Sequence, residues 1–276
     1  MVLLNGRLLA AEAASLPLPN RGLYFNDGFF ETLVWANGGL RYLSHHLARM
    51  RQAAEALGLA LPASIATADA LTATLAPLAA TTATAATTGQ RLRLQFWRGG
   101  GGLYAPETDA TEWLATVQSF VANDAPVSTA GFAETVRTQL SAVSFCKGPN
   151  SLLYVLAARE RQQRGIAELL LLSEQGYVAE SVAAAVFWIA DAQLYTPPLA
   201  AGCVAGVRRA HLLDVARQHG VQVREAYIRP AELRAADVVF TANVAGIRQL
   251  EQLEGTHLPT TAAPLLEQLR HWDKIR

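Results

Sequence analysis

The apolar residues of this 276-residue chain fall in short runs that end at glycine, proline or polar residues, not in long continuous stretches. Short runs of this kind predict buried β-strands. They alternate with segments in which apolar residues have helical spacing, a pattern typical of α/β proteins. The predicted strands are residues 31–36, 91–97, 168–173, 184–190 and 238–241, and the predicted helices are 46–57, 150–164 and 207–219.

Residues 122–128 separate two parts of the chain. Their sequence, Ala-Asn-Asp-Ala-Pro-Val-Ser, has the composition of a linker. A chain of this length forms one large domain or two modest ones, because single cores stop growing efficiently near this size. We therefore predict a small N-terminal α/β domain over residues 1–122 and a larger C-terminal domain over residues 129–276.

Composition and charge argue against several classes of protein. The chain has 23 basic and 23 acidic residues, and its arginines are scattered among carboxylates, which disfavours a nucleic-acid partner. No apolar run approaches the roughly 20 residues that cross a bilayer, and Asn5 and Arg7 interrupt any leader-like start. We expect a cytoplasmic protein with no membrane partner. Its two cysteines, Cys146 and Cys203, are expected to be reduced and to hold no metal.

Lysine usage gives the first indication of chemistry. Apart from Lys274, near the end of the chain, Lys147 is the only lysine, and arginine stands almost everywhere else. Arginine stays charged, so it cannot replace a lysine whose amine must lose its proton, as in Schiff-base chemistry. The alternative is a surface lysine kept by chance. The apolar residues 142–146 before Lys147 and the Gly148-Pro149 pair after it predict that it ends a buried strand.

Two glycine-containing segments are candidate phosphate sites. The first, residues 202–206, precedes the predicted helix at Val207, and free N–H groups at a helix start favour anions. The second holds Asn243 and Val244, in a glycine-ended loop after a predicted buried strand. Each signal is weak alone, because most glycine-led helices bind nothing.

Two charged residues stand in apolar surroundings. Glu180 precedes a run of small and apolar residues, and a buried carboxylate needs a cation or strong hydrogen-bond donors. A structural ion pair would also satisfy it. Arg49 lies in the predicted helix at residues 46–57. It would need no special partner if it lay on the solvent-exposed face of that helix. His45 and His46, near the start of that helix, are expected to be capping or surface residues and not metal ligands.

Six segments, taken together, resemble the class IV aminotransferase family of pyridoxal-phosphate (PLP) enzymes. The resemblance covers essentially the whole chain. It implies an α/β (α+β) fold of fold type IV, D-amino acid aminotransferase-like, with two domains. It also implies a homodimer whose active sites are completed by a loop from the partner subunit, acting on a small-molecule amino substrate. The segments are residues 21–33, 46–58, 147–157, 167–181, 194–209 and 236–247.

The resemblance assigns a role to each candidate residue. Lys147 matches the Schiff-base lysine, Glu180 the carboxylate that pairs with the pyridine nitrogen, and Arg49 the arginine that binds the cofactor phosphate. A protonated pyridine ring accepts electrons only if an anion lies against it. Four residues fall where the family offers phosphate-binding groups, from the start of a helix and from a second loop: Val207, Arg208, Asn243 and Val244.

The chain also departs from the family pattern. Ser151 stands where the aminotransferases commonly have a tyrosine, and Ala185 where many have an asparagine. Leu103 stands where some lyases carry an arginine. The remaining candidates for contact with the substrate are Phe25, Arg93 and Arg98.

Residues 180–188 and 202–209 look more like the lyase branch of the family than the branched-chain aminotransferases. The favoured expectation is 4-amino-4-deoxychorismate lyase, which forms 4-aminobenzoate, a folate precursor, and pyruvate. The alternative is an aminotransferase acting on branched-chain or D-amino acids. A third hypothesis, a noncatalytic PLP-binding relative, is disfavoured because Lys147 and Glu180 are both present.

Overall fold

The computed structural model describes residues 1–82, 89–259 and 264–274. The chain forms two compact units. The first unit contains Met1–Ala122 and Cys146–Pro149, and the second contains Asn123–Phe145 and Asn150–Arg276. Among the described residues, no helix is long and apolar enough to span a membrane.

The first unit is built on an antiparallel sheet, which has six strands among the described residues, in the order β2-β1-β6-β5-β3-β4. Helix α2 packs on strand β3. The strands are β1 Val2–Leu4, β2 Arg7–Leu9, β3 Gly28–Ala36, β4 Gly39–Leu40, β5 Gly89–Arg98 and β6 Thr111–Phe120. The helices are α1 Arg21–Phe25, α2 Leu43–Leu57 and α3 Ala68–Ala80, with short 3-10 turns at Ala11–Ala13 and Ala63–Ile65.

Alternation along β3 and β5 gives this sheet two different faces. Residues paired across antiparallel strands point to the same side. One side carries the pairs Phe29 with Phe96 and Leu33 with Leu92, all fully buried. The other side carries Phe30, opposite Gln95, and Thr32, opposite Arg93. The first is the core face of the unit, and the second is its polar face.

The second unit contains a mixed sheet, which has ten strands among the described residues. Its strands are β7 Ala130–Thr138, β8 Glu168–Ser173, β9 Val178–Ser181, β10 Ala185–Ala190, β11 Gln193–Thr196, β12 Val223–Glu225, β13 Val238–Asn243, β14 Gly246–Gln249, β15 Gln252–Leu253 and β16 Thr256–His257. Its helices are α4 Ser151–Gln163, α5 Val207–Gln218, α6 Pro230–Leu233 and α7 Pro264–Lys274, with a 3-10 turn at Leu199–Ala201.

Strand β10 lies within this sheet and is buried on both faces. Val186 and Trp188 belong to one apolar cluster, whereas Phe187 and Ile189 belong to another that includes residues of α5 and α7. Burial on both faces explains why the sequence shows a continuous apolar run here and not an alternating pattern. The strand pairs with β11, β13 and β9.

The segment before Lys147 differs from the sequence prediction in two ways. Residues 142–147 form turns and not a strand: the Ser144 N–H donates to the Ser141 carbonyl (3.3 Å), as does the Ser144 hydroxyl (3.1 Å). Local hydrogen bonds therefore take backbone groups that a strand would pair. In addition, residues 146–149 belong to the first unit, although they follow residue 129 in the chain.

Candidate functional site

The backbone around Lys147 is fixed against strand β3. The Phe30 N–H donates to the Lys147 carbonyl (2.8 Å), and the Asn26 side-chain amide donates to the Gly148 carbonyl (2.7 Å). Gly148 has a φ of +135°, and a Cβ there would lie 2.8 Å from the Phe29 Cα. Only glycine permits both that conformation and this close approach. The lysine is thus presented by a tightly packed turn.

The Phe30 side chain brings Lys147 and Arg93 to one place on the polar face. The Lys147 Nζ lies 6.0 Å from the centre of the Phe30 ring, and the Arg93 guanidinium lies 3.7 Å from it. Arg93 also donates to Gln95 Oε1 (3.1 Å). Partial burial and the nearby Arg91 lower the pKa of Arg93. An amine and a guanidinium therefore flank one aromatic ring, an arrangement suited to an anionic substrate.

Arg98 does not suit the substrate role that the sequence suggested. Its side chain is 6% exposed and lies on the core side of β5. The guanidinium donates to Asp27 (3.0 Å), Asp109 (2.7 Å) and the Gly58 carbonyl (2.8 Å), and also to the Leu57 carbonyl. Its donors are thus engaged within the fold, which disfavours the substrate contact that the sequence suggested for Arg98.

Arg49 lies in a buried charge cluster with Glu31 and His46. Its Nε and Nη2 donate to the two oxygens of Glu31, each at 2.7 Å, and His46 Nδ1 lies 2.6 Å from Glu31 Oε2. Although burial opposes ionisation, Arg49 and His46 lower the pKa of Glu31 to about 2. His46 is fully buried, which corrects the expectation of a surface residue, and burial lowers its pKa. The cluster holds the guanidinium in one orientation.

Glu180 is buried at the end of strand β9, as its sequence context predicts, with 4% of its surface exposed. The Tyr154 hydroxyl donates to its Oε1 (2.7 Å), and the Val204 N–H lies 3.3 Å and 3.2 Å from its two oxygens. Gly202, with a φ of +83°, makes the turn that leads to Val204, and a Cβ there would lie 2.7 Å from the Gln139 backbone. Donors thus hold the carboxylate on two sides.

The four predicted phosphate-binding residues lie together in the second unit. Helix α5 starts at Val207 after Gly206, so the first N–H groups of the helix have no intrahelical acceptor. The Arg208 side chain donates to the Asn243 carbonyl (2.8 Å), which joins the helix start to the end of β13. Asn243 and Val244 belong to the tight turn between β13 and β14, which the sequence indicated only as a loop.

The chemistry of these groups fits a pyridine ring nitrogen and a phosphate, because a buried carboxylate suits the first and helix-start N–H groups suit the second. Val204, whose N–H meets Glu180, precedes Val207 by three residues, a reach of at most about 10 Å. The Arg208 guanidinium itself is paired with Asp273 (2.6 Å), so only its backbone N–H suits a phosphate. The helix-start amides therefore begin three residues after the N–H that meets the buried carboxylate.

Phe25 ends helix α1 beside the glycine-rich loop at residues 99–102. Its ring centre lies 5.8 Å from that of Tyr104, and the Arg21 guanidinium lies 4.9 Å from it. Arg21 donates to the carbonyls of Gly101 (3.2 Å), Gly102 (3.0 Å) and Leu103 (2.6 Å). This arginine holds the loop, and the loop presents the exposed side chains of Leu103 and Tyr104.

Several partners of the site escaped the sequence reasoning. Glu31 offered a signal, because a carboxylate on the core face of an alternating strand requires a cation. Tyr154 and Arg21 offered no such signal.

The two residues that depart from the aminotransferase pattern lie near the site. Ser151 is the first residue of α4, and Ala185 begins β10 opposite Glu180. The described residues contain no group of three side chains arranged to hold a metal ion.

Comparison with known proteins gives consistent matches over nearly the whole chain. The model of the family described as amino-transferase class IV matches residues 28–253. The D-alanine aminotransferase of Bacillus licheniformis is 25% identical over 92% of this chain and 88% of its own. The aminodeoxychorismate lyase of Vibrio harveyi is 26% identical over 83% of each chain. The crystal structure of 4-amino-4-deoxychorismate lyase from Pseudomonas aeruginosa superposes with a TM-score of 0.84, at 29% identity, covering 98% of this chain and 97% of that one.

Proposed function

This chain belongs to the class IV aminotransferase family, whose enzymes depend on pyridoxal 5′-phosphate, and from that premise we propose that it is a 4-amino-4-deoxychorismate lyase. The observation that carries the proposal is the pairing of Lys147 and Arg93 about the Phe30 ring. Aminodeoxychorismate is a dicarboxylate, and a guanidinium beside the reacting amine suits such a substrate. The lyase-like segments and the 29% identity to a lyase of the same fold support it.

In this proposal, each of the following residues holds one part of the cofactor. Lys147 forms the covalent bond to it, Glu180 binds its ring nitrogen, and Arg49 binds its phosphate. The backbone amides of Val207, Arg208 and Val244 also bind the phosphate, and Asn243 shapes the turn that carries Val244. The bidentate Glu31 pair holds the Arg49 guanidinium in one orientation through Nε and Nη2.

The bound cofactor withdraws electrons from the carbon that bears the substrate nitrogen and so makes its proton removable. Lys147 accepts that proton at Nζ, a task that an arginine could not perform. Arg93 holds a substrate carboxylate and orients the ring, so that the enolpyruvyl group leaves from the neighbouring carbon. The group leaves with the electron pair of its carbon–oxygen bond, as the enolate of pyruvate. It takes up one proton, which balances the proton removed by Lys147, and becomes pyruvate, while the ring becomes that of 4-aminobenzoate.

One assay tests the proposal. Purified holoenzyme is mixed with aminodeoxychorismate, and pyruvate and 4-aminobenzoate are both followed, with borohydride-reduced enzyme as the control. We expect the two products to appear in equal amounts. Absence of both products from an enzyme that transfers amino groups to a 2-oxo acid would contradict the lyase assignment.

An aminotransferase acting on branched-chain or D-amino acids is the second candidate. Its support is the D-alanine aminotransferase match, which has nearly the same identity as the lyase match and covers slightly more of the chain. Both reactions begin with proton removal by Lys147. They differ afterwards, because in an aminotransferase Lys147 would deliver the proton again and no substituent would leave the substrate. Ser151 and Ala185, which replace a tyrosine and an asparagine of the aminotransferases, disfavour this candidate.

We further propose that the protein is a homodimer. Large apolar side chains are exposed on each unit, and exposed apolar patches mark contact surfaces. In the second unit they include Leu152, Val155 and Leu156, which share one face of α4. In the first unit they include Leu23, Tyr24, Phe25, Leu103 and Tyr104. Sedimentation at micromolar concentration checks this, and an active monomer would contradict it.

A further inference from the structure

Tyr154 has no task in the mechanism so far, yet it holds the residue on which that mechanism depends. It lies on the first turn of α4, and its hydroxyl donates to Glu180 Oε1 at 2.7 Å. The contact joins residues 26 positions apart in the sequence. Glu180 itself is almost fully buried. The hydroxyl is thus positioned to affect the charge and orientation of that carboxylate.

The effect of such a bond on a buried carboxylate has a definite direction. Burial disfavours the charged form of a carboxyl group, and each hydrogen bond donated to the anion favours it. A short O–H···O⁻ bond is among the stronger hydrogen bonds in proteins. The Val204 N–H is a second donor, and it approaches both oxygens. Removing the Tyr154 hydroxyl therefore takes away one hydrogen bond that favours the anion of Glu180, and the carboxylate becomes a stronger base.

We propose that Tyr154 is a positioning residue that keeps Glu180 ionised and oriented, so that the proton shared with the cofactor ring stays on the ring nitrogen. This inference rests on the proposed role of Glu180 but not on the identity of the substrate. A more basic Glu180 would take the proton and leave a neutral ring, which accepts electrons poorly. Tyr154 thus acts through Glu180 and does not touch the reacting atoms.

The test compares Tyr154→Phe with the natural protein as holoenzymes, and the readout is the visible absorption band of the bound cofactor as the pH is varied. A hydrogen bond of this strength corresponds to about tenfold in proton affinity. We expect the pH at which half of the spectral change has occurred to differ between the two proteins by about tenfold in proton concentration. The variant should retain its cofactor. Turnover of an accepted substrate should fall by up to about tenfold, with KM nearly unchanged.

Two further variants make the result specific. Tyr177→Phe removes a hydroxyl from a tyrosine of the same unit that lies against Tyr227 and Arg229, and it should leave the band unchanged. In a Glu180→Gln background, Tyr154→Phe should have no further effect on the band, because the two residues act as one unit. An unchanged band in Tyr154→Phe, or an equal shift with and without Glu180, would overturn the proposal. If the holoenzyme shows these shifts but forms no 4-aminobenzoate, only the lyase assignment fails.

Discussion

Arg93 and Arg98 lie on the same strand, and the sequence offered them as equal candidates for substrate binding. The structure places them on opposite faces of the sheet. Arg98 is enclosed by two carboxylates and backbone carbonyls, whereas Arg93 lies exposed over the Phe30 ring, near Lys147. An arginine whose donors are used within the fold supports the fold. An arginine on the open face beside a reactive amine has donors available for a ligand.

The largest difference between the two faces should appear in stability. Arg98→Leu should lower the free energy of unfolding by about 3 kcal/mol or more, because it removes one partner of a buried pair. The Leu57 and Gly58 carbonyls would also lose their donor. Urea unfolding measures the change, and Arg93→Leu is the matched control, expected within about 0.5 kcal/mol of the natural protein. An equal loss of unfolding free energy in Arg98→Leu and Arg93→Leu would contradict the view that only the core-face arginine stabilises the fold.

The core face also predicts a pH dependence through Glu31, which lies opposite Leu94 on that face. Its pKa is lowered from 4.5 to about 2, so its contribution to stability is complete above about pH 4.5 and is lost as the pH falls toward 2. The full loss is on the order of 3 kcal/mol. His46, with its lowered pKa, adds to the loss on acidification below about pH 6.5, because the unfolded chain takes up the proton more readily.

Unfolding curves measured at several pH values check this prediction. In Glu31→Gln, the part of the acid dependence between about pH 4.5 and pH 2 should become shallower, since the titrating group is gone. A variant with the same slope as the natural protein in that range would show that the buried cluster does not control acid stability.

The polar face predicts a smaller effect, on catalysis and not on stability. Arg93→Gln should lower kcat/KM for aminodeoxychorismate by about tenfold to hundredfold, the value of one charge-assisted hydrogen bond of about 1.5–3 kcal/mol. Arg91→Gln, on the same face of the strand, is the control and should change kcat/KM far less. Steady-state kinetics measure both. If Arg93→Gln keeps the full kcat/KM, another group binds the substrate carboxylate.

The sequence predicted the elements of the fold better than their contacts. Strands such as β5 and β8 and the helices α2 and α5 follow from periodicity, because burial on one or both faces leaves a pattern in neighbouring residues. The pairs Tyr154 with Glu180 and Glu31 with Arg49 join residues far apart in the chain, and no local pattern encodes them. The turn that carries Lys147 resembled a strand because apolar residues precede it, although the Ser141 to Ser144 hydrogen bonds close it.

The role of Lys147 is the central claim, and the scarcity of lysine makes it directly measurable. Borohydride reduction of the holoenzyme, followed by peptide mass mapping, locates the residue that holds the cofactor, and Lys147 and Lys274 are the only lysines available. We expect the visible band to disappear on reduction and the pyridoxyl mass to be found on the peptide that contains Lys147. A label on Lys274 alone, or substantial turnover by Lys147→Ala, would contradict the account.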